Sequence, residues 1–348
     1  MQKINVFKKE RDVRIDIMKG IGIMLVVYGH INHNNSFVYL FHMPLFFILS
    51  GAALSLSTHK YFVKRRFKAI MVPYFVFSIL SFVYWALIES KFRPVHDDTL
   101  FHGILGELPI KWQQFINIFL ALNCSDAFIY NVVLWFLPCL FMADLIFAYI
   151  DKKKWVSIGI LGIVCLFFLF FSKATSLPWC MHLSLISVPF IWIGKISYKP
   201  LMKWLEYHKS SYIPFFFIFL GLILSIYYLF HPGINMYGNS VSPFYLFYLS
   251  ALVGTLLVVF LSLIIDKYVI LGGHFFAYFG KNSLIVMCIH EPLKRILLVV
   301  CSKIISIPVE TMRDNWIISV GCTLILLFVC ILFIEIINKK MKWIIGKK

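Results

Sequence analysis

The sequence predicts an all-α, polytopic membrane bundle of about ten transmembrane helices with both chain ends in the cytosol. Three observations carry that reading. Of the 348 residues, 61% are hydrophobic and 14% charged, whereas a soluble domain carries roughly a quarter charged residues; mean hydropathy is +0.85. Apolar runs long enough to cross a hydrocarbon layer of about 30 Å recur along the chain. Lys and Arg between those runs favour alternate sides.

The runs fall at 15–31, 38–56, 69–88, 132–150, 156–171, 183–193, 212–230, 244–265, 284–300 and 316–337. Each is expected to be a helix, because an open strand edge in lipid leaves backbone groups unpaired. The first contains Asp16 and Lys19 and lacks a small-residue cleavage site, so it reads as an anchor and not a signal peptide. In the second, Pro44 is expected to bend the helix and Gly51 after Ser50 to admit a close neighbour. The sixth is short, and the first and ninth carry charge. Residues 89–131 form the one long outer loop, where 115–122 is too short to cross and suits an interfacial or re-entrant helix. With tails at 1–14 and 338–348 and no internal repeat, the whole of 1–348 reads as one domain.

Net charge is +17, which invites a nucleic-acid partner. Position argues otherwise. With the N-terminus inside, the inner segments hold Lys3 to Arg14, Lys60 to Lys68, Lys152 to Lys154, Lys195 to Lys209, Lys267, Lys281 and Lys339 to Lys348. The outer ones hold Lys91, Arg93, Lys111, Lys173, Lys294, Arg295, Lys303 and Arg313. That bias of roughly three to one is the positive-inside pattern, and it accounts for the charge with a lipid bilayer as partner and no nucleic acid. The eight Cys show no metal-like spacing. Cys139, Cys165, Cys288, Cys322 and Cys330 lie in apolar runs, and Cys124, Cys180 and Cys301 on the far side have room for one disulfide.

Ionisable groups within spans are costly and mark chemistry or mutual pairing. Lys19 and His30 are eleven residues apart, which brings a helix round to nearly the same direction, about 16 Å along its axis. Asp16 and Lys19, at i and i+3, either neutralise each other near the inner interface or serve the reaction. His30 is a ready base at its depth, or a satisfied core imidazole. Only six residues join the first two spans, so His42 approaches His30. His30, His33 and His42 lack a thiolate or carboxylate neighbour, and no metal is expected. Lys64, Arg65, Arg66 and Lys68 exceed what orientation demands and suit phosphate, or else lipid headgroups. Trp135 beside Pro138 reads as packing. Asn282, Ser283, His290 and Glu291 in the ninth span suit proton handling or mutual satisfaction. Asp97, Asp98, Trp112 and Asp126 of the outer loop suit a sugar. No His-x4-Asp and no His-Glu-x-x-His pattern occurs.

In their order, these pieces resemble the acyltransferase-3 family of integral membrane acyltransferases. The matching elements are Asp16-x-x-Lys19-Gly20 leading to Gly29-His30, then FHMPLFFILSG at 41–51 and the basic segment running into Pro73-Tyr74. LWFL at 134–137 and GKNSL at 280–284 leading to His290 complete the set. The resemblance implies that His30 is the catalytic base, paired with Lys19. It implies that the basic segment holds an acyl-CoA donor, such as acetyl-CoA; the family's second Arg is Lys68 here, so a fork becomes a point charge. It further implies O-acylation, chiefly O-acetylation, of a cell-envelope glycan or its lipid-linked precursor at the plasma membrane. A transporter coupled to protons, or a scaffold for glycan assembly, are the competing readings of the same buried charges.

Overall fold

The computed structural model describes residues 12–32, 36–54, 59–92, 106–123, 127–153, 159, 162, 177–207, 216, 219–223, 236–237 and 244–347. Among these the chain is helical throughout, with no strand. The expected spans at 156–171 and 212–230 lie largely outside the described residues, as do His33, Asp97, Asp98, Cys124 and Asp126. Among the described residues, five helical stretches are long and apolar enough to cross a membrane: Tyr61–Lys91, Val132–Asp151, Pro178–Tyr207, Phe244–Tyr268 and Trp316–Lys340.

Helix α1, Val13–Ile31, starts where the Asp12 side chain accepts a hydrogen bond from the Arg14 backbone N–H. After α2, Ser36–Tyr39, comes α3, His42–Ala53. The expected bend at Pro44 is absent. Pro44 sits in the first turn of α3, where its missing N–H costs nothing, and the chain instead breaks before His42. At twelve residues, α3 is shorter than a straight crossing requires.

α4, His59–Arg66, runs into a π-helical turn, Phe67–Met71, and then α5, Val72–Leu87. Pro73 cannot donate into the ladder. Just upstream, Val72 donates to Phe67, one residue further back than an α-helix allows. The extra residue shifts the helical register between Arg66 and α5, and such π-turns are frequent at functional sites. In the expected outer loop, α6 spans Ile110–Leu120.

α7 is Phe136–Lys153, entered through a 3₁₀ turn, Val132–Trp135. The sixth run, short by composition, belongs to α8, Met181–Tyr207, a 27-residue helix that contains Pro189 and Pro200. α9 is Phe244–Tyr268, α10 Ile270–Lys281 and α11 Ser283–Ile305; α12 is Val309–Asp314 and α13 Trp316–Lys340. A 3₁₀ turn, Lys342–Ile345, follows.

Two contacts between helix backbones set the core. A Cβ at Gly51 would lie 2.0 Å from the Ile191 carbonyl oxygen, and one at Gly194 would lie 1.9 Å from that of Ile48. Small residues thus let α3 and α8 touch, as in small-residue membrane crossings. Likewise, a Cβ at Gly20 would lie 2.0 Å from the Phe276 carbonyl oxygen, and one at Gly280 1.7 Å from that of Asp16. α1 and α10 are therefore antiparallel and in backbone contact. Residues 267–281 were expected to be an inner loop; they hold a helix instead. α11 reverses at Asn282 and runs beside α1 in the same direction, bringing Glu291 to His30.

Cys139, Cys180, Cys288, Cys301, Cys322 and Cys330 are free thiols. Cys180 donates to the Ala121 carbonyl at 3.2 Å, so no disulfide joins Cys180 to Cys301.

Candidate active site

The candidate site comprises two cavities that share Met287. The first, about 210 Å³, lies toward the start of α1 and is lined by Lys19, Ser50, Arg66, Phe136, Ser283 and Met287, among others. Its polar wall is a three-helix knot. The Arg66 guanidinium contacts both the Asp144 carboxylate and the Ser50 hydroxyl, the latter at 2.7 Å, and Ser50 donates to Asp144 at 3.1 Å. Asp144 is fully buried. A carboxylate that deep is tolerable only when paired and hydrogen-bonded. Arg66 and Ser50 meet both conditions, and the charge of Lys19 also acts on Asp144. The cavity thus presents one guanidinium and one ammonium to an anionic or carbonyl-bearing guest.

The second cavity, about 200 Å³, lies toward the end of α1 and is lined by His30, Tyr39, His42, Trp135, Tyr237 and Met287, among others. Three groups pin the last turn of α1, whose final carbonyls have no intrahelical partner. Lys294 donates to the His30 carbonyl at 3.2 Å. Arg313 donates to the His30 and Ile31 carbonyls at 3.2 and 3.0 Å. Tyr39 donates to the Gly29 carbonyl at 3.0 Å. Cations at a helix C-terminus also complement its dipole. His30 is fixed by its backbone.

Around its ring, the His30 Nδ1 stands 3.8 Å from a Glu291 carboxylate oxygen. That is beyond hydrogen-bond length and suits an ion pair once the imidazole is protonated. Glu291 is in turn held by Lys294, which reaches both carboxylate oxygens at 2.8 Å, and by Arg295 Nε at 3.3 Å. Arg295 also grips Glu89 at 3.0 and 3.1 Å. The His290 ring lies 5.4 Å from that of His30. Its Nδ1 is 2.8 Å from the Val286 carbonyl, and its buried Nε2 has no hydrogen-bond partner among the described residues.

The family model described as an acyltransferase domain matches residues 12–335. The chain belongs to the acyltransferase-3 family. It is a membrane acyltransferase. No curated protein and no solved structure matches it.

Set on this acyltransferase, the expected site residues divide. Lys19, Ser50 and Arg66 share the first cavity; His30, His42 and Trp135 share the second. His290 and Glu291 back His30 without lining either. Lys64, Arg65 and Lys68 are exposed outside the first cavity, with Arg65 stacked 5.8 Å from the Phe62 ring. Asp16 is buried a turn before Lys19, at the Gly280 contact, and lines neither cavity. Asn282 lines a third cavity beside the first. Trp112 is exposed on α6. No group of three or more His, Cys, Asp or Glu among the described residues could hold a metal ion.

Sequence reasoning missed Asp144, Lys294, Met287 and Tyr39. Asp144 had a signal: it is the one carboxylate inside the run 132–150, and intramembrane ionisable residues are functional candidates by default. Lys294 was counted only as a topological charge. Met287 and Tyr39 had no local signal, because only three-dimensional packing places them on a cavity wall.

Proposed function

We propose that this acyltransferase moves an acyl group, acetyl in the first instance, from cytosolic acyl-CoA to a hydroxyl of a cell-envelope glycan or lipid-linked glycan precursor. One observation carries the reading. Met287 lines both cavities, so the cation-walled cavity and the His30 cavity adjoin at one flexible side chain, and the proposed path runs past it. The positive-inside pattern supports a plasma-membrane protein of about ten spans, a single domain over 1–348, with both termini and the Arg66 end of the bundle in the cytosol. Acyl-CoA then meets Arg66 and Lys19 on the side where it exists, and the glycan meets His30 from the other.

In the proposed reaction the thioester enters the first cavity and its acyl carbon passes Met287. His30 takes the proton of the acceptor hydroxyl as its oxygen attacks that carbon. The C–O bond forms, the C–S bond breaks, and the departing thiolate recovers the proton from His30, giving the ester and a free thiol. Glu291, already polarised by Lys294 and Arg295, stabilises the transient imidazolium across 3.8 Å, as the orienting acid does in a nucleophile–base–acid arrangement. Lys19 and Arg66 hold the donor and take no proton.

The test is a His30→Ala strain analysed by mass spectrometry of its envelope glycans against a deletion strain. Loss of O-acetyl groups with unchanged glycan export supports transfer. Normal acetylation overturns it, and lost export with intact acetylation favours a transporter.

A further inference from the structure

The motif GKNSL at 280–284 has its Lys281 and Asn282 outside both cavities of the proposed path. They line a third cavity of about 220 Å³, together with Gly346 and Lys347 of the C-terminal turn. This cavity shares Ala69 and Leu284 with the first one. It adjoins the first cavity as an antechamber would.

Its walls are assembled from three distant segments, each held by specific contacts. Gly346 adopts φ +66, and a Cβ there would lie 1.9 Å from the Lys68 carbonyl oxygen and 3.3 Å from the Lys68 Cγ. Only glycine satisfies both the left-handed backbone and that approach. Ile344 and Ile345 are buried beneath the turn. On the opposite wall, Asn338 Nδ2 donates to Asn282 Oδ1 at 2.8 Å, and Asn282 donates to the Tyr278 carbonyl at 2.9 Å. Lys281 and Lys68 are exposed.

We infer that this antechamber binds the phosphate-bearing end of a nucleotide thioester, with Lys281 and Lys347 as ligands and Lys68 at the rim. The inference rests on the acyl-CoA reading above. Lysine ammonium groups serve as point charges for phosphate without the planar match a guanidinium needs. A water-facing mouth also spares a multiply charged group the desolvation that full burial imposes. The neutral, narrow thiol arm then passes Ala69 and Leu284 into the cavity of Lys19 and Arg66. This accounts for Lys68, which the basic segment contains and the first cavity does not use.

The experiment compares full-length wild type with the double variant Lys281→Glu, Lys347→Glu in phosphatidylcholine vesicles. Substrates are acetyl-CoA and acetyl-pantetheine, which carries the same thioester without phosphates. The expected result is a KM for acetyl-CoA raised about tenfold or more, with acetyl-pantetheine kinetics unchanged. Equal losses with both donors, or no change with either, overturns the inference. An unchanged acetyl-CoA KM in neutral lipid, combined with loss of a stimulation that anionic lipid gives the wild type, assigns the lysines to a headgroup and overturns it too. Titration calorimetry with coenzyme A reads the antechamber independently of turnover. Weakened binding by the milder Lys281→Gln, Lys347→Gln variant sustains the inference even if wild type transfers from neither donor, a result that would remove the proposed reaction instead.

Discussion

His30 is held by contacts to its own backbone, which leaves its ring free to work. Lys294 and Arg313 both donate to the His30 carbonyl, and Glu291 approaches the ring from behind. Replacing His30 with Ala is expected to lower kcat by about 10²–10⁴, the range of a lost general base. Glu291→Gln removes the counter-charge and leaves Lys294 facing a neutral amide, while Arg295 keeps Glu89. Its kcat is expected to fall while the KM for acetyl-CoA stays, because Glu291 lines none of the three cavities. At the other cavity, Asp144→Ala strands the Arg66 charge and is expected to destabilise the fold by about 3–5 kcal/mol, the usual cost of breaking a buried pair, measured by thermal unfolding in detergent. The eleven-residue spacing made Lys19 and His30 legible without coordinates. Asp144 sat in plain view inside an apolar run, but its partner Arg66 is 78 positions away, and one helix's periodicity carries no information about another's.

At the scale of elements, glycine decides which helices touch. Gly51→Ala and Gly194→Ala each place a methyl against backbone carbonyl at 2.0 and 1.9 Å, and backbone yields less readily than a side chain. Each is expected to cost at least the roughly 1–3 kcal/mol typical of overpacking, whereas Gly321→Ala, with nothing within 4 Å, is expected to be silent; detergent-melting curves of the three separate them. The start of α1 adds a pH dependence. Burial raises the Asp12 pKa, but hydrogen bonds from Tyr198 and Arg14 outweigh it, so the folded value lies below the ordinary 3.8. A lowered carboxylate contributes stability above its unfolded pKa, and that contribution is lost as pH falls through the folded value. Asp12→Asn is thus expected to flatten the acid limb of the stability curve below about pH 4. Composition and run length foretold the long helices well. α10 escaped because GGHFFAYFGK is short and bounded by glycine and lysine, which reads as loop until its glycine is seen lying on the Asp16 carbonyl. The split before His42 escaped because Pro44 signals a bend or a beginning equally.

On the scale of the molecule, α1 packs against α3, α9, α10, α11 and α13 and contributes to the walls of two cavities. Met287 is the boundary they share. Met287→Ala is expected to merge them and to extend the acyl groups accepted from acetyl toward butyryl, while Met287→Trp is expected to abolish transfer without weakening coenzyme A binding. Competition assays across a series of acyl-CoA chain lengths check both. Membrane character was evident from composition alone, and the family from the order of its motifs. That Met287 borders both cavities was not, because it depends on how α11 packs against elements far away in the sequence.

The most direct test uses sealed vesicles with radiolabelled acetyl-CoA confined to the face bearing Arg66 and glycan acceptor confined to the other. Wild type should deliver label across the bilayer to the acceptor, and both His30→Ala and Met287→Trp should deliver none. Label reaching the acceptor at the wild-type rate through either variant would contradict a path from Arg66 past Met287 to His30.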